Sequence, residues 1–222
     1  LFSIAPKAIW CMNRQQEVEL RISAKRLLNL KETVSAKLPL GKWASRFEVL
    51  CATVILAQAA TSNRKRPCSH NLHVACNLRG RTARFPTDYF GNAAFDFHQP
   101  LENIPTEYNI DSLVIMTQSI HNAVRRGLDD PEEICKTKDW VEAARHLGLR
   151  NTLDVWAPVV MDALSGNGTF VNSWDKRWLD VKMGSDNRVT MAAFFGILPN
   201  LIIEVPRDCQ TGDSTIYLAL PH

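Results

Sequence analysis

Between Glu17 and Leu38 the apolar residues change their period, and neither an all-helical nor an all-strand architecture accommodates both patterns. Glu17-Val18-Glu19-Leu20-Arg21-Ile22 alternates charged and apolar side chains, the period of a strand with one buried face. From Leu27 onward the apolar positions recur as Leu27, Leu30, Val34 and Leu38, which is the spacing of one helix face. Ser23 stands at the switch, and its hydroxyl can accept from an amide of the first helical turn. A strand feeding directly into a helix predicts a mixed α/β (α+β) fold in which helices cover a sheet.

The remaining segments extend that expectation. Pro39 and Gly41 end the helix, and Ser45-Arg46-Phe47-Glu48 forms a capping box in front of Val49, Leu50, Val54, Ile55 and Leu56. Leu72–Cys76 and Ala93–Phe97 read as short buried strands on either side of a basic, irregular loop that starts at Gly80 and continues through Pro86, Asp88 and Gly91. A long helix is predicted from Asn109 to Arg126, with Leu113, Val114, Thr117 and Ile120 among its inner positions and Gly127 as its stop. Asp130-Pro131-Glu132-Glu133 then has the chemistry of a new helix start. Strands are predicted at Thr169–Trp174, Val189–Phe195, Leu201–Val205 and Thr215–Leu220, with antiparallel connections because the gaps are short for crossover helices. The sheet is therefore expected to be mixed and largely antiparallel.

With 222 residues and 45% apolar content, the chain can bury a substantial core. A net charge of +3 is too slight for a nucleic-acid track, and the densest cationic run, Arg64-Lys65-Arg66, reads as a solvated loop before Pro67. Cys11, Cys51, Cys68, Cys76, Cys135 and Cys209 show no Cys-x-x-Cys pair and no zinc-ligand spacing, so reduced thiols, no metal and a cytoplasmic location are expected. No apolar stretch has the length of a membrane span. Asn167-Gly168-Thr169 matches a glycosylation sequon, without a signal peptide to accompany it.

Two stretches carry a family resemblance. Asn77-Leu78-Arg79-Gly80-Arg81 followed by Tyr89-Phe90-Gly91-Asn92-Ala93 resembles an arginine-rich loop and Tyr-Phe-Gly-Asn-Ala segment of the CoA-dependent BAHD and trichothecene acetyltransferases. Asn172-Ser173-Trp174 followed by Asp180-Val181-Lys182-Met183-Gly184 is similar to that family's Ser-Trp segment and its Asp-Phe-Gly-Trp-Gly signature, of which only Asp180 and Gly184 are kept. The resemblance spans nearly the whole chain as one C-terminal acyltransferase-like domain, 1–222. Residues 1–68 would supply a strand and two helices leading into it, and 69–222 the core sheet and helices.

What the resemblance implies is a chloramphenicol acetyltransferase-like fold and a protein about twice this length. Its N-terminal half-domain would carry a His-x-x-x-Asp base, unless self-association completes the site. Acyl-CoA and a small-molecule acceptor would be the substrates, with nucleic acid and membrane excluded as partners. No histidine here has an aspartate four residues on, and His98 with Glu102 is the nearest imitation. Because the chain opens on Leu1, a fragment is expected.

By the same resemblance Asn172 is a candidate oxyanion donor and Trp174 a candidate wall of the acceptor pocket. The plainer readings are a strand-end asparagine satisfying local backbone and a core tryptophan beside Trp178. Arg79, Asp180 and Gly184 form a structural signature. The family pairs the two charges away from the substrates, so Asp180→Ala is expected to lose stability rather than ligand contacts. Two alternatives stay open because Val181, Lys182 and Met183 depart from the signature: a diverged, short relative catalysing a cyclisation or isomerisation, and a non-catalytic binding subunit.

Overall fold

The computed structural model describes residues 15–39, 41–61, 70–90, 93–101, 104–128, 134–135, 139, 142–143, 146, 161–162, 165, 168–173, 182–183, 187–188, 201–204 and 211–221. The alternating segment forms strand β1, Gln15–Ile22. Ser23 Oγ accepts from the Arg26 amide at 3.3 Å and opens helix α1, Ala24–Lys37, whose first amide also donates to Asp213 Oδ1 at 2.9 Å. That second bond joins the start of α1 to the turn before the last strand.

Helix α2, Arg46–Thr61, begins on the expected capping box. The Glu48 amide donates to Ser45 Oγ at 3.1 Å, and the Ser45 amide donates to Glu48 Oε2 at 2.7 Å, so two otherwise orphaned donors are satisfied reciprocally. Strands β2, His70–Asn77, and β3, Ala94–Leu101, follow, then helix α3, Ile110–Leu128, capped by Asn109 Oδ1 on the Ser112 amide at 2.8 Å. The helix passes through Gly127 rather than stopping there. Leu128 packs on the cluster of Leu78, Phe85, Ala93 and Ile134, and that apolar contact outweighs the weak helix propensity of one glycine.

Strands β4, Gly168–Ser173, β5, Lys182–Met183, β6, Asn187–Arg188, β7, Leu201–Glu204, and β8, Ser214–Pro221, complete the described elements. Six of them form one sheet in the order β1-β8-β7-β4-β2-β3, and β5 pairs with β6. The expected antiparallel connections hold for β7–β8 and β5–β6. By contrast, β4 runs parallel to both β2 and β7, because the chain between β4 and β7 is long enough for a crossover. The expected strand at 189–195 and helix start at 130–133 lie outside the described residues.

The three helices share one face of the sheet. Val74, Val171, Ile202 and Leu218 lie side by side across four strands and join Leu27, Val34, Leu50, Ile55, Met116 and Ile120 in a single core, with Val18 packed against it from β1. Each fully buried side chain of this kind contributes about 1.5–3 kcal/mol of transfer free energy. Among the described residues, no helix is long and apolar enough to cross a membrane.

Candidate active site

Strand β4 reads Gly-Thr-Phe-Val-Asn-Ser, in which polarity alone does not say which face each residue takes. The packing settles it. Val171 belongs to the helix-side core, whereas Phe170 packs with Leu201, Ile203 and Ala219 in a separate cluster on the opposite face. Because side chains alternate along a strand, Ser173 shares with Val171 the side that carries the three helices, and Asn172 shares the opposite side with Phe170.

The helix side holds Ser173 firmly. Its Oγ donates to Glu204 Oε2 at 2.9 Å, and Glu204 is only 3% exposed. Ser214 Oγ donates to Glu204 Oε1 at 3.4 Å, and Arg46 in the first turn of α2 places its guanidinium against both, 3.5 Å from Glu204 Oε1 and hydrogen-bonded to Ser214 Oγ. A carboxylate so deep is tolerated only with partners of this kind. The cluster ties β4, β7, β8 and α2 together directly behind Asn172.

On that opposite side the pairing register runs Asn172, Ile203, Tyr217, Glu19 from strand to strand, with His73, Phe170 and Leu201 in the adjacent row. Burial, and then Glu19 and Glu17, push the Tyr217 phenol up. His73 Nε2 lies 3.0 Å from Asp162 Oδ2, which also accepts from Asn71 Nδ2 at 2.8 Å. With 1% exposure His73 is closed to an incoming alcohol, so this pair joins the segment before β4 to the sheet instead of serving as an exposed base. Gly168 makes that joint possible, since a β-carbon there would sit 2.7 Å from Asp162 Cβ.

Half-buried Asn172 carries a neutral side-chain amide beside Ile203 and Phe170, and its N–H groups can donate hydrogen bonds without a change of charge. Among the described residues, no set of His, Cys, Asp and Glu side chains gathers to hold a metal ion.

The first motif packs upon itself. Arg79 Nε donates to the Tyr89 carbonyl at 2.9 Å and Nη1 to Asn77 Oδ1 at 3.1 Å, joining the two parts of the motif. Phe85 and Tyr89 meet edge to face at 5.2 Å, and Gly80 adopts φ +72, a conformation side chains disfavour, as its amide donates to the Phe85 carbonyl. Arg79 therefore shapes a loop. Of the other residues singled out in the sequence, Trp174, Asp180 and Gly184 lie outside the described residues, as does Glu102; Lys182 and Met183 form β5.

Sequence reasoning missed Glu204, Arg46 and Asp162. A carboxylate ending the apolar run Leu201-Ile202-Ile203 was the available signal for Glu204, since buried charges require partners. The 158 residues separating Arg46 from Glu204, and the 89 separating His73 from Asp162, left the pairings unreadable.

Three solved structures are similar to this chain in fold. Vinorine synthase superposes with a TM-score of 0.63 at 11% identity, over 94% of this chain and 45% of its own. Fusarium graminearum TRI101, in a structure complexed with coenzyme A and deoxynivalenol, gives 0.61 at 14% identity, covering 94% and 45%. TRI3 trichothecene 15-O-acetyltransferase from Fusarium sporotrichioides gives 0.54 at 12%, covering 94% and 42%. The chain thus spans less than half the length of these structures, and its mixed sheet flanked by helices is similar to part of their fold. No curated protein matches it in sequence. The Transferase family model matches residues 7–221, and the chain belongs to that family, the BAHD and trichothecene acetyltransferases whose two motifs it resembles.

Proposed function

We propose that this chain is the C-terminal half of a CoA-dependent O-acyltransferase whose acceptor is a secondary-metabolite alcohol. The observation that carries the reading is that Asn172 lies on the sheet face opposite α1, α2 and α3, with Ser173 held to the helix side by Glu204. Family membership supports acyl transfer, and the coenzyme A in the TRI101 structure supports acyl-CoA as the donor.

In this reading a base from an N-terminal half-domain takes the proton of the acceptor hydroxyl, and the alkoxide oxygen attacks the thioester carbon. The carbonyl oxygen then carries the negative charge, and Asn172 Nδ2 donates to it. When the carbon–sulfur bond breaks, the ester leaves with the acceptor. The coenzyme A thiolate recovers the proton from the base. The apolar surroundings of Phe170 and Ile203 keep water away and strengthen the Asn172 bond to the oxyanion.

The test is release of free coenzyme A thiol from acetyl-CoA by the complete protein, offered a panel of secondary-metabolite alcohols. Turnover should appear with at least one alcohol and fall about 100-fold in Asn172→Ala. Binding of acetyl-CoA without thiol release from any alcohol counts against acyl transfer and favours the cyclase, isomerase or binding-subunit readings.

A further inference from the structure

We infer that Ser173 and Glu204 are positioning residues for Asn172, a role resting on the acyl-transfer reading above. Glu204 is buried, at 3% exposed, and reaches three elements through Ser173, Ser214 and Arg46. Its bond to Ser173 Oγ, at 2.9 Å, acts on the residue covalently next to Asn172. A strand residue held on one face fixes the direction of its neighbour on the other, because the Cα–Cβ bonds of successive residues point oppositely.

Strand β4 needs such a device at this end. Among the described residues, the pairing of β4 with β2 runs from Gly168 to Val171 and stops before Asn172, and the last two residues pair with Ile203 and Glu204 of β7. The serine bond adds a hold at the end of β4 beyond its pairing with β2 and sets the Asn172 amide in place before substrate arrives. An oxyanion donor is effective only when its geometry is preset, since misplacement by about 1 Å can cost 100-fold in rate.

The experiment combines two measurements on Ser173→Ala, Ser173→Thr, Asn172→Ala and the double variant Asn172→Ala/Ser173→Ala. In acetyl-CoA turnover by the complete protein, Ser173→Ala should lower kcat about tenfold with KM unchanged, and Ser173→Thr, which keeps the hydroxyl, should restore most of it. In the Asn172→Ala background the same serine change should have no further effect, because its action passes through Asn172.

The second measurement is the side-chain amide signal of Asn172 in a ¹⁵N spectrum, identified by its loss in Asn172→Ala. It should be sharp and well dispersed in the parent and averaged in Ser173→Ala. If Asn172→Ala turns over like the parent, the oxyanion role falls and the positioning role with it. If Asn172→Ala is impaired but Ser173→Ala is not, or the two losses multiply, only the positioning role is overturned. An unmoved Asn172 signal in Ser173→Ala overturns it as well, whether or not a substrate has been found.

Discussion

Replacing Glu204 by alanine removes the acceptor on which the Arg46, Ser173 and Ser214 donors converge. Breaking a fully buried ion pair costs about 3–5 kcal/mol, because the surviving charge is left without its partner. Arg46 keeps 26% of its side chain exposed, so water recovers part of that loss, whereas Ser214 is fully buried and loses its acceptor outright. Together these give a destabilisation of roughly 2–4 kcal/mol, the serine contributing about 1 kcal/mol or more of it.

For a chain of this size each kcal/mol lowers Tm by about 2–4 °C, so Glu204→Ala should melt roughly 5–15 °C below the parent. Thermal unfolding by circular dichroism, checked by urea titration, measures it. The double variant Arg46→Met/Glu204→Leu, which removes both charges and refills the volume, should regain much of the loss. A Glu204→Ala protein within about 1 kcal/mol of the parent would refute the reasoning, since a buried carboxylate with these partners cannot be idle.

The other expectations concern separate parts of the fold. Ser45→Ala should cost about 1 kcal/mol as the α2 cap is lost, and Glu48→Ala more, because Glu48 Oε1 also holds His121 Nδ1 at 2.8 Å; equal losses in denaturant titrations would contradict the double role. Gly168→Ala should cost about 1–3 kcal/mol and shift the His73 ring resonances, as the new methyl overlaps Asp162; a neutral change means the His73–Asp162 joint is not as described. Burial pushes the fully buried Cys51 thiol well above its ordinary 9.0. The native state then keeps this proton at pH values where the unfolded chain releases it, so this contribution is complete below pH 9.0 and is lost as pH rises beyond it. Cys51 should resist iodoacetamide in the native protein at pH 8, and Cys51→Ala should flatten the alkaline fall in stability; modification without unfolding speaks against the burial.

Local features were the legible ones. The alternation in β1, the Ser23 cap and the Ser45 to Glu48 box each depend on neighbours within one turn or one strand, and the strand, the cap and the box all form, although Leu20 on the face expected to be buried is 38% exposed. Gly127 misled because its helix-ending tendency is small beside the packing of Leu128. The parallel pairing of β4 with β7 was hidden because it depends on the length and path of a connection rather than on either strand's composition. Asn172 was found through a motif, but its face was not readable from β4 itself, where buried residues occupy both sides. The face became clear only through Ser173, Glu204 and Arg46, which the sequence holds far apart.

Ile202 and Ile203 are adjacent in β7 and lie on opposite sides of the sheet, the first in the helix-side core and the second beside Asn172. Methyl-labelled isoleucine spectra recorded while a non-hydrolysable acetyl-CoA analogue is added therefore test the central claim most directly. The Ile203 δ1-methyl and the Asn172 side-chain amide should shift together and saturably, with Ile202 nearly still. A shift centred on Ile202, or none at either residue at saturating analogue, would contradict the assignment of the Asn172 face as the acyl-transfer wall.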